Sequence, residues 1–292
     1  MDNVTIVIPV FNRVTRVRLA LELIPEHYPL VLVDNGSTDG TAEFLAEYCR
    51  HRKNAVFAQE PERGACAARN RGLSLCQTEW VYFFDSDDEF TSLPNPPKTK
   101  KYDMFCFPVM MVVAGDERVR DYRPVKDPAT HVLTAMLGTH SMIFRTSWLR
   151  SIGGWDNRCR IWNDWELGLR ALLCRPRMRW ITDKARHRVF VHPNSITGPN
   201  YSSRSEAIRD TLLVAYDDAR TAANDRVLHA LDLRTRIVCG VLRREGSSTA
   251  ASTIRSLAKS SFVGWLLETY CALGGRGAWR IALAILNYGE KH

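Results

Sequence analysis

The sequence predicts an α/β protein: a parallel sheet with helices on both faces, followed by a helical C-terminal region. Two observations carry this. Over residues 1–90, short apolar runs alternate with segments whose apolar residues recur at helical spacing, as strands joined by crossover helices do. From Ser205 onward almost every stretch has helical periodicity instead. Crossovers between parallel strands are expected to be right-handed.

The elements follow in order. Val4 to Ile8 reads as a buried strand, Val14 to Ile24 as a helix, Leu30 to Val33 as a second strand and Thr41 to Arg50 as a second helix. Asn54 to Gln59 is a short third strand, Ala65 to Cys76 a third helix and Trp80 to Phe84 a fourth strand. Proline and lysine then make Ser92 to Lys101 a surface loop. Met104 to Val113 reads as one strongly apolar strand, Asp127 to Leu137 as a short helix and Ser141 to Phe144 as a strand. Gly198-Pro199-Asn200 and Ser202-Ser203 mark a boundary, so residues 1–204 form one domain, with halves 1–90 and 91–204, and 205–292 a helical region.

Composition sets the class. With 292 residues, 45% hydrophobic and 25% charged, the chain buries a sizeable core and is neither disordered nor collagen-like. Its charge is +8, from 40 Lys+Arg against 32 Asp+Glu, and 32 of those cations are Arg. Arg suits bidentate contact with phosphate and carboxylate, so the excess points to an anionic partner unless it is only compositional bias. None of the eight cysteines stands in a C-x-x-C pair, which removes a zinc ribbon or redox motif and fits a reducing cytosol. The chain opens straight into a strand-like run rather than a signal peptide, and no stretch of 18 apolar residues occurs, so a cytoplasmic protein is expected.

In an open parallel sheet, ligands bind beyond the carboxyl ends of the strands. Here those ends are Pro9-Val10-Phe11-Asn12-Arg13, Asp34-Asn35-Gly36-Ser37, Glu60 with Arg63-Gly64, and Asp85-Ser86-Asp87-Asp88-Glu89. Any one of them alone is an ordinary turn. Four together point to a polar ligand site. The loop after the first strand has no glycine, which excludes both the dinucleotide fingerprint and the P-loop. A bound diphosphate would then be neutralised through a divalent cation, Mg²⁺ or Mn²⁺, on the Asp85–Asp88 cluster.

These blocks carry a resemblance. Val7-Ile8-Pro9-Val10-Phe11-Asn12-Arg13, Val33-Asp34-Asn35-Gly36-Ser37-Thr38-Asp39-Gly40-Thr41, Gly64 with Ala68-Arg69-Asn70-Arg71-Gly72, and Phe84-Asp85-Ser86-Asp87-Asp88 resemble the family 2 glycosyltransferases of GT-A fold. The match continues through Met142-Ile143-Phe144-Arg145, Ile152-Gly153-Gly154-Trp155-Asp156 and Asn163-Asp164-Trp165-Glu166-Leu167, and covers about residues 3 to 200. The resemblance implies a GT-A, Rossmann-like mixed sheet flanked by helices. It also implies a metal-dependent, inverting transfer of a sugar from a nucleotide donor, a UDP- or GDP-sugar, to a hydroxyl of a polysaccharide or lipid-linked acceptor. By resemblance Pro9, Phe11, Asn12, Arg13 and Asp34 hold the nucleoside, and Arg63 and Arg69 lie near the diphosphate. Asp85 and Ser86 contact the ribose or the metal-bound diphosphate, Asp87 and Asp85 ligate the metal, and His192 supplies a further ligand, with His187 its rival.

Displacement of a nucleoside diphosphate needs a base for the acceptor hydroxyl. Asp164 takes that role by resemblance to the family's Glu-Asp motif, although Asn163 stands where Glu is usual. Either residue could instead cap the following helix. Glu166 and Arg170 fall at i,i+4 and should pair. Trp155, Trp165 and Glu166 wall the acceptor side or pack inside, and Thr139, His140 and Ser141 are further candidates for the sugar pocket. Where relatives place a helix after the acid cluster, this chain has the Ser92–Lys101 loop.

Arg158, Arg160, Arg170, Arg175, Arg177, Arg179, Arg186 and Arg188 form a basic stripe, and Arg234, Arg236, Arg243 and Arg244 a second group. Phe262 to Leu273 and Ala278 to Leu286 are apolar but too short to span a bilayer. They fit peripheral contact with the inner face of a membrane, a bundle, or a homodimer face. No nucleic-acid motif accompanies the arginines, so nucleic acid is not expected as a partner. The competing non-enzyme reading is a degenerate scaffold that binds nucleotide sugar without turnover.

Overall fold

The computed structural model describes residues 3–86, 88–94, 96, 101–113, 116–119, 125–181, 188–191 and 200–288. The chain forms two compact units, neither contiguous. The first holds residues 1–123, 137–157 and 176–195, and the second 124–136, 158–175 and 196–292. A single break at residue 204 was the expectation. The division differs because two inner segments bury their apolar residues, among them Val132 and Leu169, with the C-terminal helices.

The first unit is built on β1 (Val4–Val10), β2 (Leu30–Asp34), β3 (Ala55–Gln59) and β4 (Trp80–Phe83), alternating with α1 (Val14–Glu22), α2 (Thr41–His51) and α3 (Ala65–Leu75). Strand β1 pairs in parallel with β2 and β4, and β2 with β3. The order β3-β2-β1-β4 is then extended by β8 (Met142–Arg145), β5 (Met104–Cys106) and β9 (Met178–Trp180). Strand β8 runs antiparallel to both β4 and β5, which makes the sheet mixed. Its strands are apolar on both faces because both faces are covered: Ile6, Ile8, Leu32, Val33, Trp80 and Phe83 have no exposed surface.

One expected strand is two. Met104 to Val113 divides at Phe107–Val109 into β5 and β6 (Met110–Val113), which belong to different sheets. Pro108 lies in the break and has no N–H to donate to a ladder. The second sheet has the order β10-β6-β7, with β7 at Asp116–Val119 and β10 at Arg188–Val191.

Helix α3 lies close on the sheet. A methyl group placed on Gly72 would overlap Val7 Cγ1 and press on Val33, so the helix sits at this depth only with glycine there. Beyond β8, α5 (Thr146–Ser151) completes the described helices of this unit.

In the second unit, α4 (Pro128–Thr134) opens with Asp127 accepting from the N–H groups of Ala129 and Thr130, with Pro128 at the first turn. It ends earlier than the sequence suggests, because Ala135 adopts φ 50°. Helix α6 (Asn163–Leu173) and the C-terminal α7 (Ser205–Thr221), α8 (Asp225–Arg244), α9 (Ser248–Arg255), α10 (Phe262–Ala272) and α11 (Ala278–Tyr288) complete it. Helix α8 is the axis, in contact with α4, α7, α9, α10 and α11.

Ion pairs within each unit take up half of the arginines expected to face an anionic partner. Arg177 pairs with Asp103 at 2.7 Å and Arg188 with Glu89 at 2.8 Å in the first unit. In the second, Arg160 pairs with Asp210 and Arg170 with Glu166, the latter as expected at 2.6 Å. Glu268, 1% exposed, receives Arg236, Arg243 and Arg255 together. Arg186 lies outside the described residues. Burial pushes the Glu268 carboxyl up, but the bonds and charge of Arg255, helped by Arg236 and Arg243, outweigh it and hold the group below its ordinary value. Six of the eight cysteines are buried, and burial pushes the Cys76 and Cys239 thiols up to about 12.

Gly72→Ala should therefore lower stability by about 1–3 kcal/mol through overpacking, read as a fall in the urea midpoint with unchanged slope. Glu268→Ala should cost about 3 kcal/mol at neutral pH, the low end for a buried pair because Arg243 and Arg255 reach solvent. The depressed Glu268 group stabilises the fold above the unfolded-state carboxyl value, and that contribution is lost as pH falls through its folded value. The gap between wild type and variant should accordingly close in urea melts on acidification. An undiminished gap at low pH would show that the carboxylate is not the source.

Candidate active site

The parallel order β3-β2-β1-β4 sets the four polar strand ends side by side in the first unit. The loops beyond β1 and β2 are latched to one another. Asn12 accepts from the Thr38 N–H at 2.8 Å, and its own N–H donates to Ser37 Oγ at 2.9 Å. The Arg13 N–H donates to Thr41 Oγ1 and that of Val14 to Asp39. Asn12 adopts φ 50°, a left-handed conformation that asparagine tolerates better than most residues. Asp34 is buried, and its carboxylate accepts from the N–H groups of Gly36 and Ser37, holding the turn at the end of β2.

Phe11 is 47% exposed at the mouth of these loops, and the Arg63 guanidinium lies 4.4 Å from its ring centre. Asn35 fastens the loop that carries Arg63, donating to the carbonyls of Glu60 and Glu62 and accepting from Gly64. An exposed ring under a planar cation is a surface suited to a flat, anionic ligand. Pro9 lies within β1, and Arg13 is exposed beside the latch.

The Ala68–Gly72 block divides its work by helical position. Gly72 faces the sheet. Arg69, 5% exposed, reaches Asp85 at 2.9 Å and stacks 4.4 Å from the Trp155 ring centre. Asn70 clamps the backbone of Trp155 from both sides, donating to its carbonyl at 2.8 Å and accepting from its N–H at 2.9 Å. Trp155 is itself buried, edge-on to Phe83. It holds Arg69 rather than walling an acceptor, which decides between its two expected places.

The antiparallel pairing of β8 brings one more group. Trp80 faces Arg145 and Tyr82 faces Ile143, so the start of β8 lies beside the end of β4. The 3-10 turn Thr139–Ser141 just before β8 thus arrives next to Asp85, and the Tyr82 hydroxyl donates to the His140 carbonyl at 3.0 Å. His140 Nδ1 lies 3.0 Å from Asp88 Oδ2, and its Nε2 lies 3.5 Å from Asp85 Oδ2. One ligand atom from each of Asp85, Asp88 and His140 falls within 4.8 Å of the others. Asp88 is buried and oriented by the Phe190 N–H on its other oxygen. Two carboxylate oxygens and an imidazole nitrogen suit Mn²⁺, and suit Mg²⁺ less because it takes oxygen ligands almost exclusively.

Asp85 thus stands where the sequence places it, and Ser86 is buried beside it. Asp87, His192 and His187 lie outside the described residues. Among the described residues, the groups gathered beside Asp85 are Asp88 and His140. His140 was legible only as a candidate for the sugar pocket, because its nearness to Asp85 comes from strand order.

Asp164 belongs to the second unit, in the first turn of α6, and accepts from the Trp165 N–H at 2.8 Å. No side chain caps this helix. It is started by Trp162, which adopts φ 51° and is held by edge contacts with Trp165 and Tyr201 and by the Arg234 guanidinium 4.7 Å from its ring centre. A tryptophan in that conformation costs of order 1 kcal/mol and persists only where packing compels it. Burial pushes the Arg234 group down, while Tyr201 and Asp164 oppose it. Arg234, expected on a basic surface, is thus a buried cation in the field of Asp164. Trp165 and Glu166 are buried, the one against Arg234 and the other against Arg170, so both resolve to packing rather than to an open acceptor wall.

Comparison with known proteins agrees with this geometry. Residues 5–93 match the model of Glycosyl transferase family 2. Glycosyltransferase GlyA of Streptococcus pneumoniae is 33% identical over 91 residues, 30% of this chain and 13% of that protein. A putative teichuronic acid biosynthesis glycosyltransferase, TuaG of Bacillus subtilis, is 39% identical over 66 residues, 22% of this chain and 26% of that one. The chain spans less than a third of the length of the curated relatives it matches. Among solved structures, S. aureus TarS 1-349 in complex with UDP-GlcNAc aligns over 99% of this chain and 92% of its own, at TM-score 0.58 and 17% identity. Mannosyltransferase PcManGT from Pyrobaculum calidifontis, in complex with GDP-Man and Mn²⁺, aligns over 99% and 88%, at TM-score 0.56 and 18% identity. The fold is that of the GT-A glycosyltransferases, and the family 2 signature occupies the segment that builds the four strand ends.

Asn70→Ala should leave a buried N–H and carbonyl of Trp155 without their partner and cost about 2–4 kcal/mol. Chemical denaturation measures it, and a loss under about 1 kcal/mol would mean that the clamp is replaceable by water.

Proposed function

We propose that this chain, which carries the family 2 signature over residues 5–93, is a metal-dependent, inverting glycosyltransferase that moves a sugar from a UDP- or GDP-sugar to a hydroxyl of a growing polysaccharide or lipid-linked glycan. The observation that carries the reading is the Asp85–Asp88–His140 group at the end of β4, beside the latched loops of β1 and β2. The nucleotide sugars bound to the structural neighbours, and the teichuronic acid biosynthesis in the name of TuaG, support the donor and acceptor classes.

Each residue then has a task. Phe11 serves the base, and Arg63, whose guanidinium lies on the Phe11 ring, serves the diphosphate. Asp34 and Asn12 shape the nucleoside loops, through which Pro9 and Arg13 also run. Arg69 pairs with Asp85 and aims it, with Ser86 buried alongside. Asp85, Asp88 and His140, with Asp87 and His192 as further candidate ligands, would hold a divalent cation, which when bound would neutralise the leaving diphosphate. Asp164 accepts the proton of the attacking hydroxyl. The new bond to the anomeric carbon forms opposite the breaking bond to the diphosphate, so the configuration inverts and no covalent enzyme intermediate is needed.

The test is release of nucleoside diphosphate from a panel of UDP- and GDP-sugars with Mn²⁺, with proton NMR of the product to read the anomer. Chelation should abolish turnover. His140→Ala and Asp88→Ala should weaken Mn²⁺ binding in calorimetry, and Asp164→Asn should lower kcat by about a hundredfold or more with little change in donor affinity. Full activity in chelator overturns the metal assignment, and wild-type turnover by Asp164→Asn overturns the base. Tight donor binding without turnover would mark a scaffold instead.

A further inference from the structure

Helix α10 is turned inside out. The residues it buries are Gly264, Leu267, Glu268 and Cys271. The stripe it shows to solvent is Phe262, Trp265, Leu266, Tyr270 and Leu273, with Phe262 72% and Leu273 84% exposed. These positions follow the i, i+3, i+4, i+8, i+11 spacing of one helical face. The rings of Phe262 and Trp265 stack at 5.9 Å within it. Helix α11 likewise exposes Trp279, Ile281 and Tyr288. Soluble surfaces scatter single apolar residues, whereas a repeated aromatic and aliphatic stripe marks a contact face.

Charge selects the partner. From Gly246 to Tyr288 the sequence has one acid, Glu268, and it is buried beneath Arg236, Arg243 and Arg255. The exposed charges of this stretch, Lys259, Arg276 and Arg280, are all cations. A second copy packed on the same face would bring these cations toward their own counterparts with no exposed acid from this stretch to answer them. An anionic bilayer answers them directly, and its interfacial zone is where tryptophan and tyrosine partition best. Among the described residues no helix is long and apolar enough to cross a membrane, and α10 and α11 have eleven residues each, a length suited to lying in the interface.

We infer that the exposed face of α10 and α11 docks this protein on an anionic lipid surface, with Trp265, Leu266 and Leu273 entering the interface and Arg276 and Arg280 pairing with lipid headgroups. The docking does not depend on the catalytic reading. The test is co-sedimentation of the full chain with vesicles of phosphatidylcholine alone and of phosphatidylcholine mixed with phosphatidylglycerol, with tryptophan emission followed in parallel. The expected result is binding to the mixed vesicles that weakens with salt and shifts the emission to the blue. Trp265→Ser with Leu266→Ser should weaken it by roughly tenfold or more, and Arg276→Ala with Arg280→Ala by about fivefold for each cation. All four side chains are exposed, so the variants should keep the wild-type melting temperature and, without vesicles, the wild-type rate of nucleotide-sugar turnover. Recovery of the wild-type chain in the supernatant with both vesicle types overturns the inference. So does a lipid-free dimer, seen by sedimentation velocity, that the Trp265 and Leu266 changes disperse, for the face would then belong to a second copy.

Discussion

Strand β4 ends at Phe83, and Asp85 follows within two residues. What lies beside that end depends on how the next strand enters the sheet. A parallel neighbour would bring its own carboxyl end there. The antiparallel β8 brings its amino end instead, and with it the turn that carries His140. The pairing of Trp80 with Arg145 and Tyr82 with Ile143 fixes the register, and a slip of one residue would turn every β8 side chain to the other face. The donor set of two carboxylates and an imidazole exists only because this ladder does. The Tyr82 hydroxyl, bonded to the His140 carbonyl, ties the turn to the same strand.

Around that ladder, the first unit is organised to hold polar groups still. Asp34, Asn35, Asn12 and Asp39 spend their oxygens and amides on backbone N–H and carbonyl groups of neighbouring loops. These bonds fix the loops at the strand ends in a chain that has no glycine-rich phosphate loop. The arrangement suits a site that leaves diphosphate neutralisation to a cation and to Arg63 rather than to a helix N-terminus. The block Arg69-Asn70-Arg71-Gly72 shows how one helical turn can serve three ends: an ion pair to Asp85, a backbone clamp on Trp155 and a close approach to Val7.

The second unit handles charge by enclosing it. Arg234 lies between Trp162 and Trp165, and three arginines share Glu268. Removing that acid from the surface leaves an outer face of aromatics and a few cations. The stability of the helices and the character of their exposed face thus have one source. The arginines behind the net charge of +8 divide accordingly: some are spent on internal pairs, as at Glu268, and others, Arg276 and Arg280 among them, stay exposed to meet an anionic partner.

The strands and helices of the first ninety residues were legible because both-face burial and helical spacing write themselves into local sequence, as at Val4–Ile8 and Ala65–Cys76. So were the four polar strand ends and the place of Asp85, since a strand that stops in Asp or Asn has few other uses for it. Less was legible where one long apolar run hid a break at Pro108, and where two inner segments joined the C-terminal helices across long stretches of chain. The roles of Trp155, Trp165 and Glu166 stayed open because an aromatic or an acid reads alike whether it faces a ligand or a core. By itself the sequence determined the parallel sheet order's ingredients, the absence of a glycine-rich phosphate loop and the acidic end of β4, all properties of local residue choice. Only the tertiary structure decided that His140 joins Asp85 and Asp88, that Arg160, Arg170, Arg177 and Arg188 of the stripe are paired, and that α10 faces its apolar side outward. Each of those depends on which strand or helix becomes a neighbour, and neighbourhood is set by packing over distances in sequence that no local pattern records.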